Sequence, residues 1–193
     1  MYDTDKIESG LIEEYERLFA PLKMAGLLKN EPIKYLEVGI YKGGSMLWAK
    51  DYFNHYSTII GIDKNLIEGL PETLTFYAYE ADQNDSKMLA EIADWHGQDE
   101  NDKKAFDLII DDGCHFAKET ENTFNALWPF VAPGGIYIIE DWSAFFDHKD
   151  KEQYAGMPEL ISKLMTNKTY HGIKAMRIIN KENGMSYAAF WKR

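Results

Sequence analysis

Five ionisable residues fall at the ends of two apolar runs. The run FDLIIDD ends in Asp111 and Asp112, and His115 follows three residues beyond the second acid. The next run, GIYIIED, ends in another acidic pair, Glu140 and Asp141. If the two runs are neighbouring strands of a parallel sheet, both pairs and the histidine converge on one rim. Carboxylates gathered so closely repel one another, and a hard divalent cation with oxygen ligands relieves that repulsion. One pair alone would imply no more than acids ending a strand or capping a helix, and a lone histidine no more than a turn residue. Two pairs on successive strands together with the histidine favour a metal site.

The elements that must position these residues follow from the apolar pattern. Five short runs, IKYLEVG from Ile33, STIIGID from Ser57, LTFYAYEAD from Leu74, FDLIIDD from Phe106 and GIYIIED from Gly135, are bounded by Gly, Pro or Asp and read as strands. Between them Gly44 to His55, Ser86 to His96 and Ala117 to Phe130 read as helices, after an amphipathic helix from Ile12 to Leu28. Strand–helix alternation implies an α/β fold, a parallel sheet covered by helices on both faces. The C-terminal part differs. IKAMRIIN from Ile173 and MSYAAFWKR from Met185 flank Lys181-Glu182-Asn183-Gly184, a hairpin signal. Five alternating units and a terminal hairpin fit the seven-stranded, mostly parallel sheet of a Rossmann-like class I methyltransferase better than an all-parallel dinucleotide fold. The intervening stretch Asp141 to Gly172 is aromatic and charged, with a short helix expected from Met157 to Thr166.

A second site is written in the turn after the first strand. YLEVGIYKGGS places Gly39, Gly43 and Gly44 between a strand and a helix, where absent side chains let the backbone approach a ligand and the helix N-terminus favours negative charge. The spacing is not G-x-G-x-x-G, which favours an anion smaller than a pyrophosphate, such as the carboxylate of a methionine moiety. Asp63 closes the second strand near the spacing at which an acid meets ribose hydroxyls in nucleotide folds. Asp82, in EADQND after the third strand, is placed to reach an adenine amino group. The plainer alternative is a tight glycine turn with Asp63 and Asp82 as turn residues.

Composition bounds the function classes. The 193 residues carry 32 acidic and 21 basic side chains, a formal net charge of −11, which disfavours nucleic acid and anionic membranes as partners. Cys114 is the only cysteine, so an intrachain disulfide and a multi-cysteine zinc site are excluded and a reducing, cytoplasmic setting is expected. The first residues lack a signal-peptide core and no apolar run approaches the roughly 20 residues of a membrane span. Residues 1–193 are expected to form one domain with a helical N-terminal segment over residues 1–30.

Taken together, LEVGIYKGGS, IIDDGCH and PGGIYIIEDW, with the N-terminal TDK and EEYERLFAPL, resemble the metal-dependent sugar O-methyltransferases of macrolide and aromatic polyketide tailoring and the related cephalosporin hydroxylase (CmcI-type) family. The likeness runs from about Thr4 to Phe146. LEVGIYKGGS and the spacing from acid to base are also similar to catechol-type O-methyltransferases. The resemblance implies S-adenosylmethionine and Mg²⁺ as cofactors, Asp112, Glu140 and Asp141 as metal ligands, and His115 as general base. It implies that Gly39, Tyr41 and Ser45 hold the methionine part, that Asp63 meets the ribose and that Asp82 lies near the adenine. Glu37 and Gly43 are counted with that cofactor set, as is Asp111, which also supports the metal ligands from behind. Cys114 stands where the family usually has Ser, and Ser9-Gly10-Leu11 replaces an expected His-Gly-Tyr.

The expected reaction is transfer of the sulfonium methyl to a hydroxyl oxygen of a small-molecule acceptor, a sugar moiety or natural product, with the proton passing to His115. Trp142, Phe145 and Phe146 follow the second acidic pair and are candidates to wall the acceptor pocket. Two rivals share the architecture: an oxidoreductase using a nicotinamide cofactor, against which the glycine spacing argues, and a non-catalytic cofactor-binding protein. A homo-oligomer is compatible with the sequence.

Overall fold

In the computed structural model, seven strands form one sheet in the order β3-β2-β1-β4-β5-β7-β6. The structure describes residues 2–24, 32–53, 56–66, 68–70, 76–97, 106–144, 151–167, 172–181 and 184–193. The strands are β1 (Lys34–Val38), β2 (Thr58–Asp63), β3 (Phe76–Glu80), β4 (Phe106–Asp111), β5 (Val131–Glu140), β6 (Ile173–Asn180) and β7 (Ser186–Lys192). The helices are α1 (Leu11–Met24), α2 (Gly44–Tyr52), α3 (Ser86–Gly97), α4 (Ala117–Leu127) and α5 (Met157–Thr166), with short 3₁₀ turns at Trp128–Phe130 and Lys151–Tyr154. None of the described helices is long and apolar enough to cross a membrane.

Strands β1 to β5 pair in parallel, and β7 pairs antiparallel to both β5 and β6. Alternation along each strand sends side chains to two cores. Leu36, Val38, Ile60, Ile62 and Ile109 pack with Leu89, Phe124, Leu127 and Leu160 of α3, α4 and α5. Tyr35, Ile59, Leu108 and Ile110 pack with Tyr15, Phe19, Met46 and Trp48 of α1 and α2. Helices therefore cover both faces, and α1 and α2 share one of them.

The chain leaves β1 toward β2 on one side and has β4 on the other, so the sheet reverses direction between β1 and β4, the place where ligands bind in open α/β sheets. Register aligns the ends there: Val38 pairs with Asp111, Asp111 with Ile139, and Asp63 with Glu80. The loops leaving β1 and β4 then approach so closely that a Cβ on Gly39, at φ 86°, would collide with the Asp112 carbonyl oxygen. Gly39 is thus demanded by the protein's own backbone at the crossing.

Several boundaries move relative to the sequence reading. Helix α4 stops at Leu127 and a 3₁₀ turn carries the chain through Pro129, which has no N–H to continue an α-helix. Strand β5 begins at Val131 rather than Gly135, because Val131 still pairs with Phe106 before a register shift. Strand β7 begins at Ser186, one residue after the expected start. The expected ends of the first two helices, Leu28 and His55, and the start of the third strand, Leu74, lie outside the described residues.

Candidate active site

At the carboxyl ends of β1, β2, β4 and β5 lies a cavity of 1130 Å³ whose lining includes Gly39, Tyr41, Asp63, Asp82, Asp112, His115 and Asp141. Three described non-glycine residues have positive φ, Tyr41 (48°), His115 (59°) and Asp141 (51°), and all three line this cavity. A left-handed backbone at such residues costs of order 1–3 kcal/mol and persists only where the surroundings enforce it. Here the Tyr41 N–H donates to Asp63 Oδ2 at 2.9 Å and the Asp141 N–H to the Ser186 carbonyl at 2.8 Å.

The acids expected to bind metal fall into two groups that share Asp112. In the outer group, oxygens of Asp112 and Asp141 and a ring nitrogen of His115 lie within 4.8 Å of one another. His115 Nε2 is 3.8 Å from both Asp112 Oδ1 and Asp141 Oδ2. In the inner group, where Glu37 and Glu140 are buried and Asp112 reaches the lining, oxygens of the three lie within the same distance. Glu140 thus belongs to the inner group and Asp141, its neighbour in sequence, to the outer one.

A lysine sits among the inner acids. Lys6 Nζ lies 2.6 Å from Asp112 Oδ2, 2.6 Å from Glu140 Oε1 and 3.1 Å from Glu37 Oε1. The Tyr15 hydroxyl donates to Glu140 Oε1 at 2.6 Å, and Tyr35 and Ser45 donate to Glu37 at 2.7 and 2.8 Å. Burial works against the lysine charge, yet the carboxylates of Asp112, Glu140 and Glu37 hold its pKa well above the ordinary value. With three acids to one ammonium, the fully ionised cluster would carry excess negative charge. Burial and the neighbouring acids push Glu140 up to about 7 and Asp112 well above the usual carboxylate range. Burial also pushes the His115 imidazole below its ordinary pKa and so favours the neutral ring, against the pull of Asp141 toward the charged one.

The other end of the cavity is polar and more exposed. Asp63 accepts the Asn65 N–H at 3.0 Å as well as that of Tyr41, and Asp82 pairs with Lys64 at 2.8 Å. Between the two ends, buried Gln83 donates to Asp111 Oδ1 at 3.1 Å and accepts the Cys114 N–H at 2.9 Å. Asp111 also accepts from the Tyr137 hydroxyl at 3.3 Å, so it is buried behind Asp112 rather than on the lining.

Gly39, Tyr41, Asp63, Asp82, Asp112, His115 and Asp141 therefore meet in one cavity, while Glu37, Ser45, Asp111 and Glu140 are buried behind it. Gly43 is the left-handed N-cap of α2. Trp142 packs against the core and donates to the Ile179 carbonyl at 3.1 Å; Phe145 and Phe146 lie outside the described residues. Sequence reading had singled out neither Lys6, Tyr15 nor Gln83. Lys6 stood inside the quoted TDK and Gln83 beside Asp82, but neither spacing pointed to the acids they touch.

The carboxylate oxygens of Asp112 and Asp141 in the outer group fit a hard divalent ion, with the His115 ring nitrogen beside them. A model of the methyltransferase domain matches residues 36–142. Demethylmacrocin O-methyltransferase of Streptomyces fradiae is 34% identical over 143 residues, 69% of this chain and 34% of that protein. Mycinamicin VI 2''-O-methyltransferase of Micromonospora griseorubida is 33% identical over 140 residues, 66% of this chain and 33% of that protein. Among solved structures, MycE methyltransferase of the mycinamycin pathway, in complex with Mg, SAH and mycinamycin VI, superposes with a TM-score of 0.70 at 26% identity, covering 94% of this chain and 49% of that one. The chain thus spans about a third of the length of these curated relatives and about half that of the structural one. Sheet order, the rim of acids at its reversal and a domain match over more than half its length together make this chain a member of the methyltransferase domain family, with the class I methyltransferase fold.

Proposed function

We propose that this chain is an S-adenosylmethionine- and Mg²⁺-dependent O-methyltransferase acting on a hydroxyl of a small molecule, a sugar moiety or related natural product. The observation that carries the reading is the outer Asp112–His115–Asp141 group opening into the same cavity as Asp63. The names of the relatives, all O-methyltransferases and one of them named for a rhamnosyl-tetracenomycin acceptor, support the acceptor class. Residues 1–193 act as one methyltransferase domain in this reading. Its cytoplasmic location rests on composition alone, chiefly the single cysteine.

When bound, the divalent ion lowers the pKa of the acceptor hydroxyl and the sulfonium supplies the methyl group. Asp112 and Asp141 would hold the ion from the outer group, and Glu140, expected from the sequence as the third ligand, stands beside Asp112 in the inner group. His115, kept neutral by burial, accepts the hydroxyl proton at Nε2. Asp63 accepts hydrogen bonds from the ribose hydroxyls, and Tyr41 and Gly39 shape the turn against the methionine part. Asp82 lies beside the adenine, paired with Lys64. Glu37, Ser45 and Asp111 act from behind: Ser45 donates to Glu37, which pairs with Lys6, and Asp111, tied to Gln83, fixes the loop that bears His115. Calorimetric titration of the folded chain with S-adenosylmethionine, and activity with and without EDTA, test the reading. Absence of cofactor binding, or full activity after verified metal removal, refutes it.

A further inference from the structure

Lys6 brings a positive charge into the acid cluster from the turn before α1. Its side chain is 5% exposed, and its backbone is held in that turn by the Ile12 N–H donating to its carbonyl at 3.1 Å. An ammonium is a compact charge with three donors, and three carboxylates surround this one. The remaining approaches are closed by Tyr15, Tyr35 and Ser45, each donating to one of those acids. The inner position is therefore built, buried and filled by a cation that cannot dissociate from the chain.

Asp112 joins the two positions. Its Oδ2 meets Lys6, while its Oδ1 faces His115 in the outer group. A carboxylate shared in this way is the arrangement by which two-metal sites bridge their ions. Resting on the reading of a divalent ion at the outer group, we propose that the Lys6 ammonium occupies the second cation position of this cluster. The chain then binds one divalent ion rather than two, and Lys6 is a positioning residue that presents Asp112 Oδ1 to that ion.

The test counts Mn²⁺ bound per folded chain, by the resonance signal of free Mn²⁺ and by calorimetry. Wild type and Lys6→Arg, which keeps the charge, are expected to bind one ion. Lys6→Met is expected to bind two, and Lys6→Met/Glu37→Gln, with the inner charge reduced, to return to one. Mn²⁺ should also raise the melting temperature of Lys6→Met more than that of wild type, because the ion replaces the lost ammonium. A Lys6→Met chain that keeps one ion at the wild-type affinity overturns the proposal. So does one that fails to fold equally with and without Mn²⁺, as a purely structural lysine would. A wild type with no Mn²⁺ site sinks the outer-metal reading instead; a single ion gained by Lys6→Met would then still support the inner position.

Discussion

The two ends of the cavity handle negative charge in opposite ways. At the β2 and β3 end, Asp63 and Asp82 are partly exposed and satisfied by their own turns: Asn65 N–H on Asp63, Asn84 N–H on Asp82, each two residues away. The Lys64 hydrogen bond, with that of Asn84, lowers the Asp82 pKa. At the β4 and β5 end, Asp112 and Glu140 are held by a lysine 106 and 134 residues distant, and burial raises their pKa values. The first rim holds settled charge, suited to positioning a ligand through hydrogen bonds. The second holds more acids than its internal cation neutralises, and their raised pKa values mark carboxyls that a further cation would draw into the charged form.

The sharpest way to break this contrast is at His115. As the base, its replacement in His115→Ala should lower turnover roughly 10²- to 10⁴-fold while S-adenosylmethionine affinity stays near wild type. A matching fall in Mn²⁺ affinity would move His115 from base to ligand, since its ring nitrogen sits within the outer group. Because burial lowers its pKa, the wild-type rate should hold at neutral pH and fall only as pH drops below the ordinary histidine range of about 6.5. A rate that falls at higher pH contradicts that environment.

Next in size is the difference between the two acids that face the ion. Asp112→Asn removes a carboxylate that both groups share, whereas Asp141→Asn touches the outer group alone. Both should weaken Mn²⁺ binding by roughly tenfold or more, and only Asp112→Asn should also lower stability in EDTA, because it strips Lys6 of one partner. Equal effects of the two substitutions on metal-free stability would show that the groups are not separate.

The same division explains what could be read from the sequence. Strand ends and turns are local, so Asp63, Asp82, the acidic pairs and the hairpin around Gly184 announce themselves by spacing and by alternation of apolar residues. Lys6, by contrast, lies in a polar N-terminal segment with no periodicity, and its partners are set by the crossing of β1 and β4, which appears only once strand order is known. Tyr15 occupies a core-facing position of α1, where an aromatic residue needs no polar explanation. Glu37 reads as a cofactor residue from the sequence; it shares a face of β1 with Tyr35, the face covered by α1 and α2, where Lys6 and Ser45 meet it.

At the cofactor end the expected effect is smaller. If Asp63 holds the ribose as proposed, Asp63→Ala removes two hydrogen bonds of about 1 kcal/mol each, so S-adenosylmethionine affinity should fall roughly 10- to 30-fold. It also frees the Tyr41 N–H, whose left-handed turn depends on that carboxylate. Asp63→Asn keeps one acceptor for Tyr41 and should recover part of the loss. Calorimetry on both variants separates ribose recognition from support of the turn: equal losses would assign the whole effect to the ribose.

The smallest effect is on stability against pH, and it turns on Asp111. Burial pushes this carboxyl up from its ordinary 3.8 to about 7, despite hydrogen bonds from Gly113 and Tyr137 that favour the charged form. Between those two values the folded chain binds more protons than the unfolded chain, so the contribution of Asp111 to stability falls as pH rises across that window. An asparagine cannot ionise, yet its oxygen can still accept from Gln83 and Gly113 while the Tyr137 hydroxyl turns to accept from its amide. Asp111→Asn should therefore flatten the decline in melting temperature from about pH 4 to 8 in EDTA. The raised carboxyls of Glu140 and Asp112 keep the rest of the slope. Asp82→Asn should act with the opposite sign and barely register, because the lowered pKa of Asp82 belongs to an exposed ion pair. If the melting profiles of wild type and Asp111→Asn run parallel across the whole range, burial is not what distinguishes the β4 and β5 end from the cofactor end.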